Sequence, residues 1–399
     1  MSINLEHSQE VRDLVTRTSA FVREVVVPLE DAAAGDMVQA GGDTFRRELQ
    51  ADASARGLLS PHGPLEYGGL GLGMVDRAPV FEAAGHSLFG PLAINVAAPD
   101  EGNVHLLAHI ATAEQREEFL RPLVQGRVRS AFAMTEPAPG AGSDPTALRT
   151  AARRVAGGWR VSGEKWFITG ADGAGFFIIM ARTAGEPGES HGATMFLAPA
   201  DSVGISVGRH IGTLDRSMVG GHCEVRFDDV FVPDERVLGE VDRGFANAQV
   251  RLGPARMTHV MRWLGAARRG HEIALRHVAE RQGFGSRLAD LGMVQQLVAD
   301  SEIDIAATRA LLLQACWELD QGERASMSTS IAKTFAAEAI GRIVDRAIQM
   351  CGGLGVSDDL PLARLSREVR PFRIYDGASE VHRWSIAKRA VHHATGARS

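Results

Sequence analysis

The sequence contains little cysteine and no cysteine arrangement that suggests a metal site. Its 399 residues include only three cysteines, which lie far apart at Cys223, Cys316 and Cys351. They form no CxxC pair and no spacing typical of metal ligands, so we expect no bound metal. Each lies in an apolar context, which favours buried thiols over reactive ones. This usage is typical of a reducing cytoplasm, where we expect the protein to reside.

The sequence also lacks a long hydrophobic run and an excess of positive charge. Its longest apolar run, around residues 176–181, is too short to span a membrane. Residues 1–30 mix acidic, basic and apolar residues and lack the apolar centre of a signal peptide. The net charge of −6 shows no electrostatic footprint for nucleic acid. We therefore expect a protein that has no membrane span and binds no nucleic acid.

Three regions of different character follow one another along the chain. Up to residue 130, apolar residues recur mostly at helical steps. Residues 131–240 contain short β-type runs separated by turns, which is typical of a small barrel or sandwich. Residues 241–399 are helical again, with long segments that are apolar on more than one side. The sequence therefore predicts a mainly α fold: an N-terminal helical domain (1–130), a middle β-domain (131–240) and a C-terminal four-helix bundle (241–399).

The predicted strands do not alternate with helices, so a parallel nucleotide-binding sheet is not expected. We predict strands at Trp159–Ser162, Trp166–Thr169, Phe176–Arg182, Ala193–Leu197, Ile205–Val207 and Cys223–Val232. The glycine-rich stretch Gly68–Gly73 is faintly similar to a dinucleotide-binding fingerprint. No predicted strand precedes it, so glycines needed for a tight connection are the better explanation.

A carboxylate stands at a break in the helical pattern near the C-terminus. Asp376 directly precedes Gly377, and a helical pattern resumes at Glu380. A carboxylate at such a break points off the end of an element, as a base does toward a ligand. An ordinary turn or helix N-cap gives the same pattern and is the more frequent case. None of the 14 histidines shows a carboxylate partner and a nucleophile at a recognisable spacing.

Sequence motifs in a consistent order make the chain resemble the FAD-dependent acyl-CoA dehydrogenase family. They are AMTEP at 133–137 with GSD at 142–144, GEKWFITG at 163–170, FDDVFVP at 227–233, RQGFG at 281–285, QMCGGLGV at 349–356 and YDG at 375–377. Together they cover nearly the whole chain. The chain is similar in particular to an aspartate-base branch whose animal members carry a fused kinase-like domain. That closer similarity rests on APDEGN at 98–103, GGH at 220–222, RLGPAR at 251–256 and EVH at 380–382.

The resemblance implies a defined reaction. The family removes a proton from Cα of an acyl-CoA thioester and passes a hydride from Cβ to N5 of FAD, which yields the 2-enoyl-CoA. This needs a positioned carboxylate base and hydrogen-bond donors to the thioester oxygen. By resemblance Asp376 is the base, and its own backbone N–H is one of the donors. Most relatives use glutamate here, so the reach of the aspartate is shorter by about 1.5 Å.

The resemblance also implies which residues bind FAD and substrate. The residues expected at the flavin ring are Phe132, Met134, Thr135, Phe167 and Thr169. Those expected to meet the FAD of a neighbouring subunit, in a dimer of dimers, are Arg281, Phe284, Gln349, Gly352 and Gly353. Those expected near the substrate are Ser143, which could also approach the FAD pyrophosphate, and Arg256, Tyr375 and Gly377. Without the motifs, each of these would be explained as an ordinary strand, helix-end or surface residue.

Some positions depart from the family pattern. Ala138 and Pro139 appear inserted after AMTEP, Gly292 stands where many relatives have a glutamine facing FAD, and Ala378 where many have threonine. We expect an electron-transfer flavoprotein as the acceptor. A flavin oxidase or hydroxylase on the same fold remains an alternative, because some nitroalkane-oxidising relatives also use an aspartate base. A non-catalytic DNA-binding relative is disfavoured by the acidic net charge and the retained Asp376.

One stretch suggests the kind of acyl group. Pro99 and Gly102 disfavour a regular helical turn within residues 95–103. Asp100, Glu101 and Asn103 add polar groups where the family forms part of its acyl pocket. A buried polar group needs a partner, which a branched, bulky or oxygenated acyl group could supply. The alternative is that these groups only cap a helix that starts near Val104.

Overall fold

A computed structural model describes residues 6–395 of the chain. Its first part is helical, as predicted. The helices are α1 (Gln9–Phe21), α2 (Val27–Ala32), α3 (Met37–Ala40), α4 (Gly42–Ala55), α5 (Met74–Ala84), α6 (Gly90–Ala93), α7 (Asp100–Ile110), α8 (Ala113–Gln115) and α9 (Arg121–Val124). Short π-helical turns at Val22–Val26 and Arg116–Leu120 join α1 to α2 and α8 to α9.

The middle region forms a single twisted sheet. Its strands are β1 (Ser130–Ala133), β2 (Ala151–Val155), β3 (Gly158–Thr169), β4 (Phe176–Arg182), β5 (Ala193–Pro199), β6 (Ile205–His210), β7 (His222–Pro233) and β8 (Val237–Leu238). Their order is β6-β7-β3-β2-β4-β5-β8, and β1 pairs in parallel with β4. The remaining strand pairs are antiparallel except for a single parallel bridge between β2 and β4.

Long helices follow the sheet. They are α10 (Gly244–Glu280), α11 (Gly292–Asp320), α12 (Ser326–Cys351), α13 (Leu362–Val369) and α14 (Ser379–Thr395). A small hairpin of β9 (Gln282–Gly283) and β10 (Ser286–Arg287) follows α10, and 3₁₀ turns at Gly352–Val356 and Arg370–Arg373 end α12 and α13. The order of helices, sheet and helices confirms the predicted fold class. None of the helices in residues 6–395 is both long and apolar enough to cross a membrane.

The chain divides into two compact units. The first, here called the helical unit, takes in the chain up to Ala40, then Gly73–Pro91 and the chain from Gly253 onward. The second, the sheet unit, takes in Gly41–Leu72 and Leu92–Leu252. The three domains predicted from the sequence, with boundaries at 130/131 and 240/241, stay a prediction.

The core of the sheet unit lies on both faces of the sheet. Strand β4 is buried along its whole length because its alternate side chains enter two different apolar clusters. Phe176 and Ile178 pack with helix residues such as Leu107, whereas Phe177 and Ile179 face the opposite cluster. A strand covered on both faces is expected to be a continuous apolar run, as this one is. The sheet therefore holds the ends of β1, β3 and β7 in fixed positions.

The start of α7 corrects the expectation for residues 95–103. The helix begins at Asp100, so Gly102 lies within a regular turn. Pro99 is tolerated because it stands at the N-cap, where a missing N–H breaks no helical hydrogen bond. The sequence was misleading because a proline at a helix start and a proline within a helix look alike until the helix boundary is known.

Two polar side chains of this turn, Asp100 and Asn103, have partners inside the sheet unit. Asp100 Oδ1 accepts hydrogen bonds from the backbone N–H (2.7 Å) and the hydroxyl (2.6 Å) of Ser130. Asn103 donates to the same hydroxyl (2.8 Å) and accepts from Arg251 Nε (2.8 Å). These pairings remove Asp100 and Asn103 from the argument for a branched, bulky or oxygenated acyl group, which stays a prediction.

The glycine-rich stretch is a tight connection, as proposed from the sequence. A 3₁₀ turn at Leu65–Tyr67 precedes it, and from residue 6 up to this point the chain contains no strand. At Gly69 an added Cβ would lie 2.1 Å from the carbonyl oxygen of Gly63, so the position admits no side chain. Glycine is therefore required here for close packing of two backbone segments.

Candidate functional site

Asp376 lies in a sharp break between two helical segments of the helical unit. The 3₁₀ turn Arg370–Arg373 precedes it and α14 begins at Ser379. Both Asp376 (φ +52°) and Gly377 (φ +96°) adopt the left-handed conformation. Aspartate tolerates this conformation better than most residues, and glycine tolerates it best. The two residues together turn the chain so that the Asp376 side chain projects from the end of an element. We call Tyr375–Ala378 the base loop.

Three basic side chains hold the backbone of the base loop. Arg256 Nε donates to the Asp376 carbonyl at 3.0 Å, and His382 Nε2 lies 3.2 Å from the same oxygen. Lys333 Nζ donates to the Gly377 carbonyl at 2.6 Å. Buried carbonyls in a non-helical turn need such partners, because they have none within a helix. The loop is thus fixed from α10, α12 and α14.

A histidine contacts the Asp376 carboxylate itself. His259 Nε2 lies 3.2 Å from Asp376 Oδ2, and the two side chains are 10% and 18% exposed. On its other side, His259 Nδ1 lies 2.9 Å from Arg262 Nη2. A guanidinium only donates, so Nδ1 must accept and the ring proton must be on Nε2, facing the carboxylate. His259 therefore contacts the Asp376 carboxylate with its protonated ring nitrogen.

The charges around the base loop favour an ionised aspartate. Burial lowers the pKa of Lys333 to about 8, and the negative charge of Asp376 opposes that change. Burial likewise lowers the pKa of Arg256, again against the charge of Asp376. Burial, followed by the charge of Arg256, lowers the pKa of His382 to about 4, so this ring is neutral near pH 7. Two cations beside a carboxylate favour its charged form, which is the form a base needs.

Tyr375 packs inside this cluster. Trp263 Nε1 donates to its hydroxyl. Its ring lies 4.8 Å from that of His259 and 5.6 Å from that of Phe372. The structure therefore brings together three predicted substrate-side residues, Arg256, Tyr375 and Gly377, and gives each a contact that supports the base loop.

The predicted flavin-ring residues lie together at one end of the sheet unit. Met134 and Thr135 follow β1, and two hydrogen bonds tie Thr135 to Trp166 of β3: Trp166 N–H to Thr135 O (3.0 Å) and Thr135 Oγ1 to Trp166 O (2.6 Å). Phe167 is left-handed (φ +52°) and 45% exposed. No hydrogen bond within residues 6–395 uses the backbone N–H of Met134 or Thr135. The result is an exposed ring beside two available backbone donors.

A buried ion pair explains two of the sequence motifs. Glu136 and Lys165 have side chains that are 2% and 0% exposed, and Lys165 Nζ donates to Glu136 Oε1 at 2.9 Å. The carboxylate also accepts from the N–H groups of Arg149 and Thr150, both at 2.8 Å. Lys165 Nζ further donates to the Met134 carbonyl at 3.0 Å. The pair therefore anchors the end of β1 to β3 and to the loop that follows.

Thr169, at the end of β3, belongs to a hydrogen-bonded chain that the sequence did not reveal. Its Oγ1 lies 3.0 Å from His222 Nδ1, and His222 Nε2 lies 2.7 Å from Asp215 Oδ2. His222 therefore has a carboxylate and a hydroxyl partner, which no spacing in the sequence indicated. Sequence spacing could not reveal this contact, because Thr169 and His222 are 53 residues apart and only the pairing of β3 with β7 brings them together. The GGH motif at 220–222 was the sequence feature that could have drawn attention to His222.

Most of the other predicted site residues lie at exposed positions, in loops or at the ends of elements. Phe132 is half-buried on β1, and the guanidinium carbon of Arg251 lies 4.3 Å from the centre of its ring. Ser143 is exposed in a loop. Phe284, at the tip of the β9–β10 hairpin, is 95% exposed. Exposed positions beside it and at the end of α12 are Arg281, Gln349, Gly352 and Gly353. Within residues 6–395, no hydrogen bond joins the hairpin residues to those at the end of α12.

Profiles of one protein family match three successive parts of the chain. The acyl-CoA dehydrogenase N-terminal domain matches residues 8–127, the middle domain residues 131–230 and the C-terminal domain residues 242–391.

Individual relatives are similar over the full length of the chain. A probable acyl-CoA dehydrogenase of Mycobacterium tuberculosis, FadE2, is 38% identical over 96% of this chain and 95% of its own. Mouse acyl-CoA dehydrogenase family member 11 is 35% identical over 96% of this chain, which spans only 50% of that relative. The solved structure of a Mycobacterium abscessus protein assigned as an acyl-CoA dehydrogenase is 34% identical, with a TM-score of 0.89 over 98% of this chain and 100% of that one.

Proposed function

Because the chain belongs to the acyl-CoA dehydrogenase family, we propose that it oxidises an acyl-CoA thioester to the 2-enoyl-CoA, with Asp376 as the base. The family consists of FAD-dependent oxidoreductases that act on CH–CH bonds. The observation that carries the proposal is the base loop. Its backbone is held by Arg256, Lys333 and His382, and His259 contacts its carboxylate.

Asp376 would take the α-proton as an ionised carboxylate. A thioester α-proton is only weakly acidic, so the base must be fixed within reach of it and kept free of its own proton. The backbone contacts supply the first condition, and the cations Arg256 and Lys333 supply the second. The Asp376 N–H would donate to the thioester oxygen as negative charge develops there.

The residues at the end of β1 and β3 fit a flavin ring. The polar edge of a flavin needs hydrogen-bond donors, and its faces need an apolar or aromatic surface. The donors would be the N–H groups of Met134 and Thr135. The aromatic surface would be the exposed ring of Phe167. Phe132 and Thr169 would complete this set, and Ser143 would approach the FAD pyrophosphate or the pantetheine chain. FAD, when bound, supplies the acceptor for the hydride that leaves Cβ.

A homo-oligomer, in the arrangement of a dimer of dimers, would use the exposed residues of the helical unit. Phe284 is 95% exposed and adopts a left-handed backbone conformation (φ +56°), which is rare for a bulky residue and typical of functional sites. At Gly352 and Gly353, an added Cβ would meet nothing within 4 Å, which leaves room for a ligand or partner beside the backbone. Together with Arg281, a guanidinium suited to phosphate, and Gln349, these residues would contact the FAD of a neighbouring subunit.

The proposed cellular setting follows from the same chemistry. We place the enzyme in fatty acid metabolism, with an electron-transfer flavoprotein as the acceptor of its electrons. The three cysteines are buried free thiols, which suit the reducing cytoplasm.

A flavin oxidase or hydroxylase on the same fold is the second candidate. It is favoured by the aspartate at position 376, since nitroalkane-oxidising relatives share that choice of base. A non-catalytic DNA-binding role has no support, because the chain is net acidic and has an elaborate set of contacts around Asp376.

Anaerobic flavin reduction separates the candidates. The FAD-loaded protein is mixed with butyryl-CoA, octanoyl-CoA, a 4-hydroxyacyl-CoA or a nitroalkane, and the visible absorbance of the oxidised flavin is followed. We expect at least one acyl-CoA to bleach the flavin, and the reduced flavin to react faster with an electron-transfer flavoprotein than with oxygen. Bleaching by the nitroalkane alone, or rapid reoxidation by oxygen, would favour the second candidate.

A further inference from the structure

The hydrogen-bonded chain of Asp215, His222 and Thr169 lies wholly within the sheet unit. Thr169 and His222 are cross-strand partners on β3 and β7, and Asp215 is in the loop between β6 and β7. The His222 and Asp215 side chains are 16% and 12% exposed. The contacts are 3.0 Å from Thr169 Oγ1 to His222 Nδ1 and 2.7 Å from His222 Nε2 to Asp215 Oδ2.

The direction of these hydrogen bonds follows from the ionised state of Asp215. Burial acts to raise the pKa of Asp215, but the hydrogen bonds that its carboxylate accepts, that from His222 first, outweigh burial, and the net pKa is lowered. The carboxylate therefore only accepts, and His222 Nε2 carries a proton. When the imidazole is neutral, Nδ1 carries no proton and accepts a hydrogen bond through its lone pair. The Thr169 hydroxyl then donates its single proton to Nδ1. The lone pairs of Thr169 Oγ1 are left to accept from any donor that approaches it.

We propose that Asp215 and His222 are positioning residues that make Thr169 a hydrogen-bond acceptor toward the flavin, so that the site favours the reduced cofactor. The proposal rests on the proposed function, with Thr169 among the flavin-ring residues and near N5, the position that the family resemblance implies for it. Reduced flavin carries a hydrogen at N5, which needs an acceptor, whereas oxidised flavin offers only a lone pair there. We call the hydrogen-bonded chain of Asp215, His222 and Thr169 the relay. Without it, the Thr169 hydroxyl could also point its proton toward N5 and donate a hydrogen bond to the oxidised flavin.

Other charged groups lie around His222. His210, on the neighbouring strand β6, lies 3.3 Å from Asp172, and both side chains are more than half exposed. Arg129 donates to the Gly170 and Asp172 carbonyls. None of these side chains contacts the Thr169 hydroxyl within residues 6–395. They could act on a flavin only through their charge, which makes His210 a suitable control.

The test is the two-electron reduction potential of the FAD-loaded protein, measured by equilibration with reference dyes and without acyl-CoA. Asp215→Asn, which keeps the shape but removes the charge, should make the potential more negative. His222→Phe, which removes the partner of Thr169, should do the same. A tenfold loss in the preference for reduced over oxidised flavin corresponds to about 30 mV. His210→Gln should leave the potential unchanged. An unchanged potential in both relay variants would overturn the proposal.

A double-mutant cycle shows whether the effect passes through Thr169. In a Thr169→Val background, Asp215→Asn should no longer change the potential, because the hydroxyl that the relay orients is gone. If the full shift persists in that background, Asp215 acts through its charge alone and the relay is contradicted.

The protonation of His222 is a separate readout. Long-range ¹H–¹⁵N spectra of the FAD-loaded protein distinguish a ring protonated on Nε2 from one protonated on Nδ1, and the His222→Phe variant identifies the signal. We expect the neutral ring with its proton on Nε2; a ring protonated on Nδ1 alone, or on both nitrogens, would overturn the proposal. Neither measurement needs a substrate, so failure of the relay can be told apart from failure of the proposed acyl-CoA oxidation.

Discussion

Replacing Asp376 with asparagine is expected to slow flavin reduction by acyl-CoA by a factor of about 10²–10⁴, the usual contribution of a general base. Asparagine has the same shape and also tolerates the left-handed backbone (φ +52°), so the base loop should persist. FAD should stay bound, because the residues proposed to bind it lie elsewhere in the chain. Rapid-mixing absorbance under anaerobic conditions measures the rate, and the flavin spectrum reports cofactor retention.

Two further variants make this experiment specific. Glu380→Gln removes an exposed carboxylate on the first turn of α14 and should leave the rate unchanged. Asp376→Glu retains a carboxylate but places a longer side chain on a left-handed backbone, which glutamate tolerates less well. We expect it to be slower than the native enzyme and less stable. A near-normal rate in Asp376→Asn would remove Asp376 from the mechanism.

Replacing Lys165 with methionine is expected to lower the free energy of unfolding by about 3–5 kcal/mol, because it leaves the buried Glu136 carboxylate without its cation. Chemical denaturation measures the change. The double variant Lys165→Met/Glu136→Gln removes both charges and should recover most of the loss. Arg209→Met, which breaks an exposed ion pair with Glu224 in the same sheet, should cost less than about 1 kcal/mol.

The same ion pair predicts a loss of stability in acid. Burial acts to raise the pKa of Glu136, but the charge and hydrogen bond of Lys165 outweigh it, and the net pKa lies below the ordinary value of 4.5. The stabilisation is therefore present above the unfolded pKa and is lost as the pH falls through the folded pKa. The double variant should show a weaker dependence on acid pH than the native protein. Equal acid sensitivity of the two would mean that Glu136 contributes little.

The strands could be predicted where the apolar pattern is local and uninterrupted. The run at Phe176–Arg182 forms β4 with the predicted bounds. The predicted strands Trp159–Ser162 and Trp166–Thr169 instead form the single strand β3. Register shifts on either side of Lys165 and a glycine at φ +156° interrupt the alternation without ending the strand. A sequence pattern cannot distinguish an irregularity of this kind from a turn.

The chemistry of the base loop could be predicted only in outline. The motif containing Asp376 indicated a base by resemblance, but the groups that hold it are distant in sequence. Arg256 is 120 residues from Asp376, and Lys333 is 44 residues from Gly377. Their contacts depend on how α10 and α12 pack, which helical periodicity leaves undetermined. The same is true of His222, whose partner on β3 is set by strand pairing.

The most direct test of the central claim is the fate of the α-hydrogens of the substrate. Acyl-CoA with two deuterium atoms at Cα is incubated anaerobically with the FAD-loaded enzyme, and the product mass and the rate of flavin bleaching are measured. We expect a 2-enoyl-CoA that has lost one deuterium, a slower rate than with ordinary acyl-CoA, and bleaching slowed by a factor of about 10²–10⁴ with Asp376→Asn. Recovery of the acyl-CoA with both deuterium atoms and an oxidised flavin, or normal turnover by Asp376→Asn, would contradict the account.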